Sequence, residues 1–186
     1  MPKDSVGNHG EHSQGNASAL VTLTEFADYE CSYCSQADTI AKELQKTFGS
    51  ELRFVFRNLP LRDIHPHALS AAAFAEAAGA QDKFWPLHDM LFAHQSALTD
   101  RAIVEYARTL ELDIDRLVAD VGGAAVQARL DTDMMDGEDM GVEGTPTFFI
   151  NGKLHHGDWS FESLLATIER AGEKEKSQSN ARRALV

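Results

Sequence analysis

The chain has 186 residues, 43% hydrophobic and 25% charged, with a formal net charge of −12. This suits a soluble domain with a sizeable core and room for an insertion. The acidic balance excludes non-specific nucleic-acid binding and docking on an anionic membrane, and no apolar run approaches the roughly 20 residues of a membrane-spanning helix.

Residues 1–18 are polar and rich in Gly, Ser, Asn and His, and read as a disordered lead-in. They hold no hydrophobic signal core, so the sequence as it stands reads as cytoplasmic; a mature periplasmic chain with an added Met would read the same. Residues 20–26 (L-V-T-L-T-E-F) are apolar and β-branched, which predicts a buried strand. From Cys31 the apolar positions Cys34, Ala37, Ile40, Ala41, Leu44 and Phe48 recur at helical spacing, and Gly49 stops the pattern. Residues 52–56 (L-R-F-V-F) predict a second strand, so the start of the chain reads as a βαβ unit with parallel strands.

From Pro66 to about Met140 the pattern turns helical. Helices are expected over 68–78, 82–95, 99–110 with Thr99 as cap, 114–121 with Asp113 as cap, and 124–140. Residues 148–150 predict a third strand. Asn151-Gly152 is a type I′ hairpin signal leading into 153–156, and Ser160 caps a last helix over 161–171. Residues 172–186 are charged and read as a polar tail. The order β-α-β, helical block, β-β-α is the frame of an α/β thioredoxin fold with an inserted all-helical domain. The domains are 1–18 lead-in, 19–64 and 141–171 thioredoxin-like, 65–140 inserted helical and 172–186 tail.

The only two cysteines form Cys31-Ser32-Tyr33-Cys34, after the first strand and at the start of a helix. Two thiols three apart there lie on one face, one turn apart, at a spacing that suits a disulfide. Unpaired backbone N–H groups and the helix dipole favour a thiolate at the first, so Cys31 reads as an exposed nucleophile. Cys34, one turn inside, reads as the buried thiol that resolves a mixed disulfide. The competing reading is a zinc half-site, with His65 and His67 as the nearest further ligands. Those two histidines flank Pro66 and otherwise read as helix entry and surface packing.

Glu25 is in phase with Val21 and Leu23, so alternation points its carboxyl inward. Beneath the cysteines, a buried acid could take the proton of Cys34. Tyr33 reads as a substrate contact and a partial shield for Cys31. Pro146, in Gly144-Thr145-Pro146-Thr147, begins the third strand. A cis bond there would make a fixed turn and turn the Thr145 backbone toward an extended substrate. His88 and His94 are six apart and off a common face, and Phe84, Trp85, Phe92 and Tyr106 read as core of the helical block.

Three segments together resemble the DsbA-like branch of the thioredoxin superfamily: T-L-T-E-F-A-D-Y-E-C-S-Y-C at 22–34, F-R-N-L-P-L-R-D-I-H-P-H-A at 56–68 and G-V-E-G-T-P-T-F-F-I-N-G at 141–152. The likeness is closest to the thioredoxin-like domain fused to some bacterial sodium/proton antiporters and to its free-standing relatives. It implies a nucleophilic Cys31, a resolving Cys34, a buried acid at Glu25, a cis peptide before Pro146 and a helical insertion. Strongly oxidising members carry Pro-His between the cysteines. Ser32-Tyr33 lacks that imidazole and implies a thiolate stabilised less far. The expected function is a protein thiol–disulfide oxidoreductase with no metal or organic cofactor. Its partners are protein or peptide thiols and disulfides, with a thiol reductant or oxidant to recycle it. The alternative is a non-catalytic redox sensor or holdase-like binding module using the same dithiol.

Overall fold

A computed structural model of the chain describes residues 11–183. Among the described residues the strands are β1 (His12–Gly15), β2 (Val21–Ala27), β3 (Leu52–Asn58), β4 (Thr147–Ile150) and β5 (Lys153–Leu154). They form one sheet in the order β1-β3-β2-β4-β5. The helices are α1 (Ser32–Phe48), α2 (Ala68–Gly79), α3 (Phe84–Ala93), α4 (Asp100–Thr109), α5 (Ile114–Val121), α6 (Ala124–Asp139) and α7 (Phe161–Arg183). The predicted order of elements is present, with one strand added at its start.

The described residues divide into two compact units, one of residues 11–25, Ala37–Arg57 and 147–183 and the other of Phe26–Gln36 and Asn58–Pro146. The sequence division kept the C-x-x-C with the strands and began the helical block at residue 65. The structure instead groups the motif segment with the helices. The physical reason is that this segment exchanges hydrogen bonds with residues 59–67 and with Gln95.

In the sheet, β2 is the middle strand of five. Its apolar run is buried on both faces, as a central strand requires: Val21, Leu23 and Phe26 are buried, and so is Thr24. Alternation alone is therefore an incomplete reason for the burial of Glu25.

β1 corrects the reading of residues 1–18 as disordered. Residues 1–10 of that segment, like 184–186 of the expected tail, lie outside the described residues. His12–Gly15 pairs antiparallel with β3, His12 opposite Phe56 and Gly15 opposite Arg53. It carries no apolar pattern because an ion pair anchors it instead. Glu11 accepts from Arg53 and from the buried Arg57, each at 3.0 Å. Gly15 has φ +90°, and a Cβ there would meet the Leu52 carbonyl oxygen at 2.4 Å, so only glycine fits.

The β4–β5 turn has positive φ at both Asn151 (48°) and Gly152 (71°), the type I′ geometry the sequence announced. Asn151 also ties the turn to β2, its N–H donating to Thr22 O (2.9 Å) and its Oδ1 accepting from Thr22 N (2.7 Å). β5 ends at Leu154, two residues short of expectation. The last helix runs to Arg183 rather than stopping at 171. Its extension is a solvated helix, with Lys176 paired to Glu51 at 2.8 Å. Polar composition there disguises a helix as a tail.

In the second unit, α2 is buried almost all round by its alanines and Phe74 and packs against α3, α4, α5 and α6. Thr99 and Asp113 cap α4 and α5 as expected, accepting from Ala102 N (3.4 Å) and Arg116 N (3.1 Å). Asp133, fully buried, accepts from Asn58 N (3.0 Å) and pairs with Arg129 (2.8 Å). Asn58 Nδ2 donates to Glu76 at 2.6 Å. Residue 58 is thus fixed to α2 and α6.

Candidate active site

Cys31 stands immediately before α1, at the position whose carbonyl accepts the first helical bonds: Cys34 N at 3.0 Å and Ser35 N at 3.4 Å. Cys31 therefore stands at the positive end of the helix. The exposure predicted for it is corrected. Cys31 is 6% exposed and Cys34 0%. The reason is that residues far along the chain close over the loop. Gln95 Nε2 donates to both Tyr29 O (2.7 Å) and Cys31 O (2.9 Å). The Cys31 thiol meets the Thr145 carbonyl at 3.6 Å. The Thr145–Pro146 peptide bond is cis. Tyr33, between the cysteines, is 61% exposed.

Both cysteines are free thiols. The Cys31 thiol is lowered to about 5. The largest cause is the hydrogen bond from the Cys34 thiol, which outweighs the opposing effect of burial. The Cys34 backbone N–H, the Thr145 side chain and the Tyr33 backbone N–H add to it.

Asp28 organises the loop before the motif. Its carbonyl accepts from Cys31 N (3.2 Å), and its own N–H donates to Cys34 Sγ (3.4 Å). Its buried carboxylate accepts from Glu30 N (2.7 Å), Leu61 N (2.8 Å) and His65 Nδ1 (2.8 Å). Two residues on, Glu30 accepts from His67 N (2.7 Å) and His67 Nδ1 (2.8 Å). Tyr29, between the two acids, hydrogen-bonds through its hydroxyl with His88 Nδ1 at 3.0 Å inside the aromatic group of Phe84, Trp85 and Phe92.

The structure thus brings Cys31, Cys34, Tyr33, Thr145 and Pro146 into one unit, and places Glu25, 1% exposed, in the other. His65 and His67, read from sequence as surface packing or zinc ligands, are hydrogen-bonded to carboxylates. A signal for this was present: two acids two apart, Asp28 and Glu30, and two histidines two apart, His65 and His67. Nothing in the sequence marks Gln95.

The profile of the family described as Thioredoxin matches residues 7–170. The chain belongs to the thioredoxin family. Among curated relatives it is 44% identical over 162 residues to a Na(+)/H(+) antiporter NhaA 1 of Salinispora arenicola, a match covering 87% of this chain and 24% of that protein. The chain spans about a quarter of the length of the curated relatives it matches. Among solved structures, a thioredoxin-like oxidoreductase from Silicibacter pomeroyi superposes with a TM-score of 0.83 at 28% identity, covering 93% of this chain and 99% of that one. The thiol-disulfide exchange protein alpha-DsbA2 from Wolbachia pipientis has the same fold, with a TM-score of 0.77 at 22% identity over 88% of each chain. In this thioredoxin-family chain no helix among the described residues is long and apolar enough to cross a membrane.

Proposed function

We propose that the chain is a thiol–disulfide oxidoreductase acting on protein or peptide substrates, with Cys31 as nucleophile and Cys34 as resolving thiol. The observation that carries this is the Cys31 thiol, lowered to about 5 and set at a helix start between Cys34 and the Thr145 carbonyl. The likeness to a thioredoxin-like oxidoreductase over 93% of the chain supports it.

In the reducing direction the Cys31 thiolate attacks one sulfur of a substrate disulfide. An S–S bond forms between Cys31 and the substrate, the substrate S–S bond breaks, and the departing sulfur takes a proton. Cys34 then loses its proton and attacks Cys31 Sγ. The second substrate thiol leaves and Cys31–Cys34 becomes a disulfide. The oxidising direction is the reverse. A low thiolate pKa makes Cys31 a good leaving group, which favours passing the disulfide on.

The Asp28 N–H, 3.4 Å from Cys34 Sγ, stabilises that sulfur as it ionises. The Glu25 carboxyl is proposed as a proton acceptor, on the strength of its burial in β2. Tyr33, by its exposure, and the Thr145-Pro146 segment, by its carbonyl at Cys31, are the proposed substrate contacts. A dithiol and a peptide disulfide supplied together test the proposal. An oxidoreductase cycles until one is consumed, whereas a redox sensor or binding module oxidises once and stops.

A further inference from the structure

We infer that His65 is a positioning residue for this thiol chemistry: held by the buried Asp28 carboxylate, it fixes the loop that carries Cys31 and lends that thiol a neighbouring positive charge. The inference rests on the reading of Cys31 as the nucleophilic thiol.

The geometry runs through Asp28. One residue holds the Cys31 N–H with its carbonyl and the Cys34 sulfur with its N–H. Its carboxylate is fully buried and accepts three hydrogen bonds, of which His65 Nδ1 is the side-chain donor. A buried carboxylate needs a counter-charge, and removing it exposes the site to a large desolvation cost. Neither Ser32 nor Tyr33 carries a cation.

His65 sits beyond Leu61, whose N–H shares the same carboxylate and whose carbonyl accepts from His65 N at 2.9 Å. Asp28 bonds His65 directly, the charges of Cys31 and Glu30 also act on it, and Glu30 is itself bound by His67. Burial opposes protonation of His65. The Asp28 hydrogen bond and charge, then the charges of Cys31 and Glu30, overcome it, and its value stands above the ordinary histidine one.

Coupling between two sites is reciprocal. If the Cys31 thiolate favours the His65 imidazolium, converting the thiolate into a disulfide must lower the His65 pKa. Neutralising His65 must raise the Cys31 pKa by a comparable amount. Because the Cys31 thiol is lowered to about 5, below the range in which the raised His65 titrates, the coupling reads in the two titration curves rather than in the thiolate fraction.

Two measurements test this. The first follows the His65 Cε1 proton by NMR against pH in the dithiol and disulfide forms of the full chain. A pKa lower in the disulfide form by about half a unit or more is expected, and equal values in both forms overturn the inference. The second titrates the Cys31 thiolate by ultraviolet absorbance in His65→Gln, which keeps an N–H donor for Asp28 and drops the charge. A rise of similar size is expected. A folded variant that titrates as the parent does also overturns it, since a structural role alone would survive in Gln. Neither reading depends on turnover. A chain that shows the coupling but does not cycle disulfides would sink the oxidoreductase reading and leave this one standing.

Discussion

The Cys31 sulfur lies 3.6 Å from the carbonyl oxygen of Thr145, a residue 114 positions further along the chain. A neutral thiol donates to that carbonyl; a thiolate cannot. The carbonyl therefore favours the protonated form, while the Cys34 thiol, donating to Cys31, favours the ionised one. The Cys34 hydrogen bond is the largest cause acting on the Cys31 thiol, which is lowered to about 5.

The first prediction concerns titration. Cys31 absorbance should show a thiolate forming at about 5, and Cys34→Ala should raise that value toward the free-thiol range of about 8.5 by removing the largest cause. The stability of the dithiol form follows. The folded value lies below the unfolded one, so the contribution is present above the unfolded value and is lost as pH falls through the folded value of about 5. Urea unfolding of the dithiol protein and of Cys31→Ala across that window checks it, with the gap between them widening as pH rises.

The thiol roles separate by substitution. Cys31→Ser should reduce disulfide exchange to the uncatalysed background. Cys34→Ser should still attack and should accumulate mixed disulfides visible on a non-reducing gel. Trapping by Cys31→Ser and not by Cys34→Ser would reverse the assignment.

The Asp28–His65 pair should show in stability with the opposite pH sense to the thiol. His65 is raised in the folded chain, so its contribution is complete below the ordinary histidine value of about 6.5 and disappears as pH rises through the raised folded value. His65→Gln should therefore cost more stability at about pH 5 than at about pH 9. Equal cost at both would show that the charge contributes nothing to folding.

How much of this was legible depended on the range of the interaction. Thr99, Asp113 and Asn151-Gly152 act within a few residues, and the sequence placed their caps and turn correctly. The C-x-x-C is equally local, so its place at a helix start was readable. β1 was not, because it is held by Glu11 reaching Arg53 and Arg57, 42 and 46 residues away, rather than by apolar residues of its own. The pairings of Asp28 with His65 and of Glu30 with His67 each span 37 residues. The burial of Cys31 depends on Thr145 and Gln95, which no period or spacing connects to it. Local chemistry therefore announced the place of the dithiol at a helix start, and long-range chemistry set its environment.

Glu11 offers a test of the long-range part. Arg57 is buried, and Glu11 is an ionic partner for it and for Arg53. Glu11→Ala leaves a buried guanidinium without that carboxylate and should cost about 3–5 kcal/mol. Chemical denaturation measures it. A loss below about 1 kcal/mol would show that the pair behaves as a surface ion pair and that β1 is held by its backbone bonds alone.

Gln95 tests the claim that the helical unit positions the nucleophile. Its single amide nitrogen holds the carbonyls of Tyr29 and of Cys31, the residues on either side of Glu30. Gln95→Ala leaves both carbonyls without that donor and should cost about 1–3 kcal/mol in denaturation. The effect on chemistry should depend on the reagent. Alkylation by a small electrophile needs only the thiolate, so its rate, measured well above the Cys31 pKa, should change little. Disulfide exchange with a peptide needs the sulfur aligned with the substrate, and a lost alignment of about 1.4 kcal/mol slows it about tenfold. Equal slowing of both reactions would mean that Gln95 acts on the thiolate itself. No slowing of either would mean that the two bonds hold the fold and leave the direction of attack untouched.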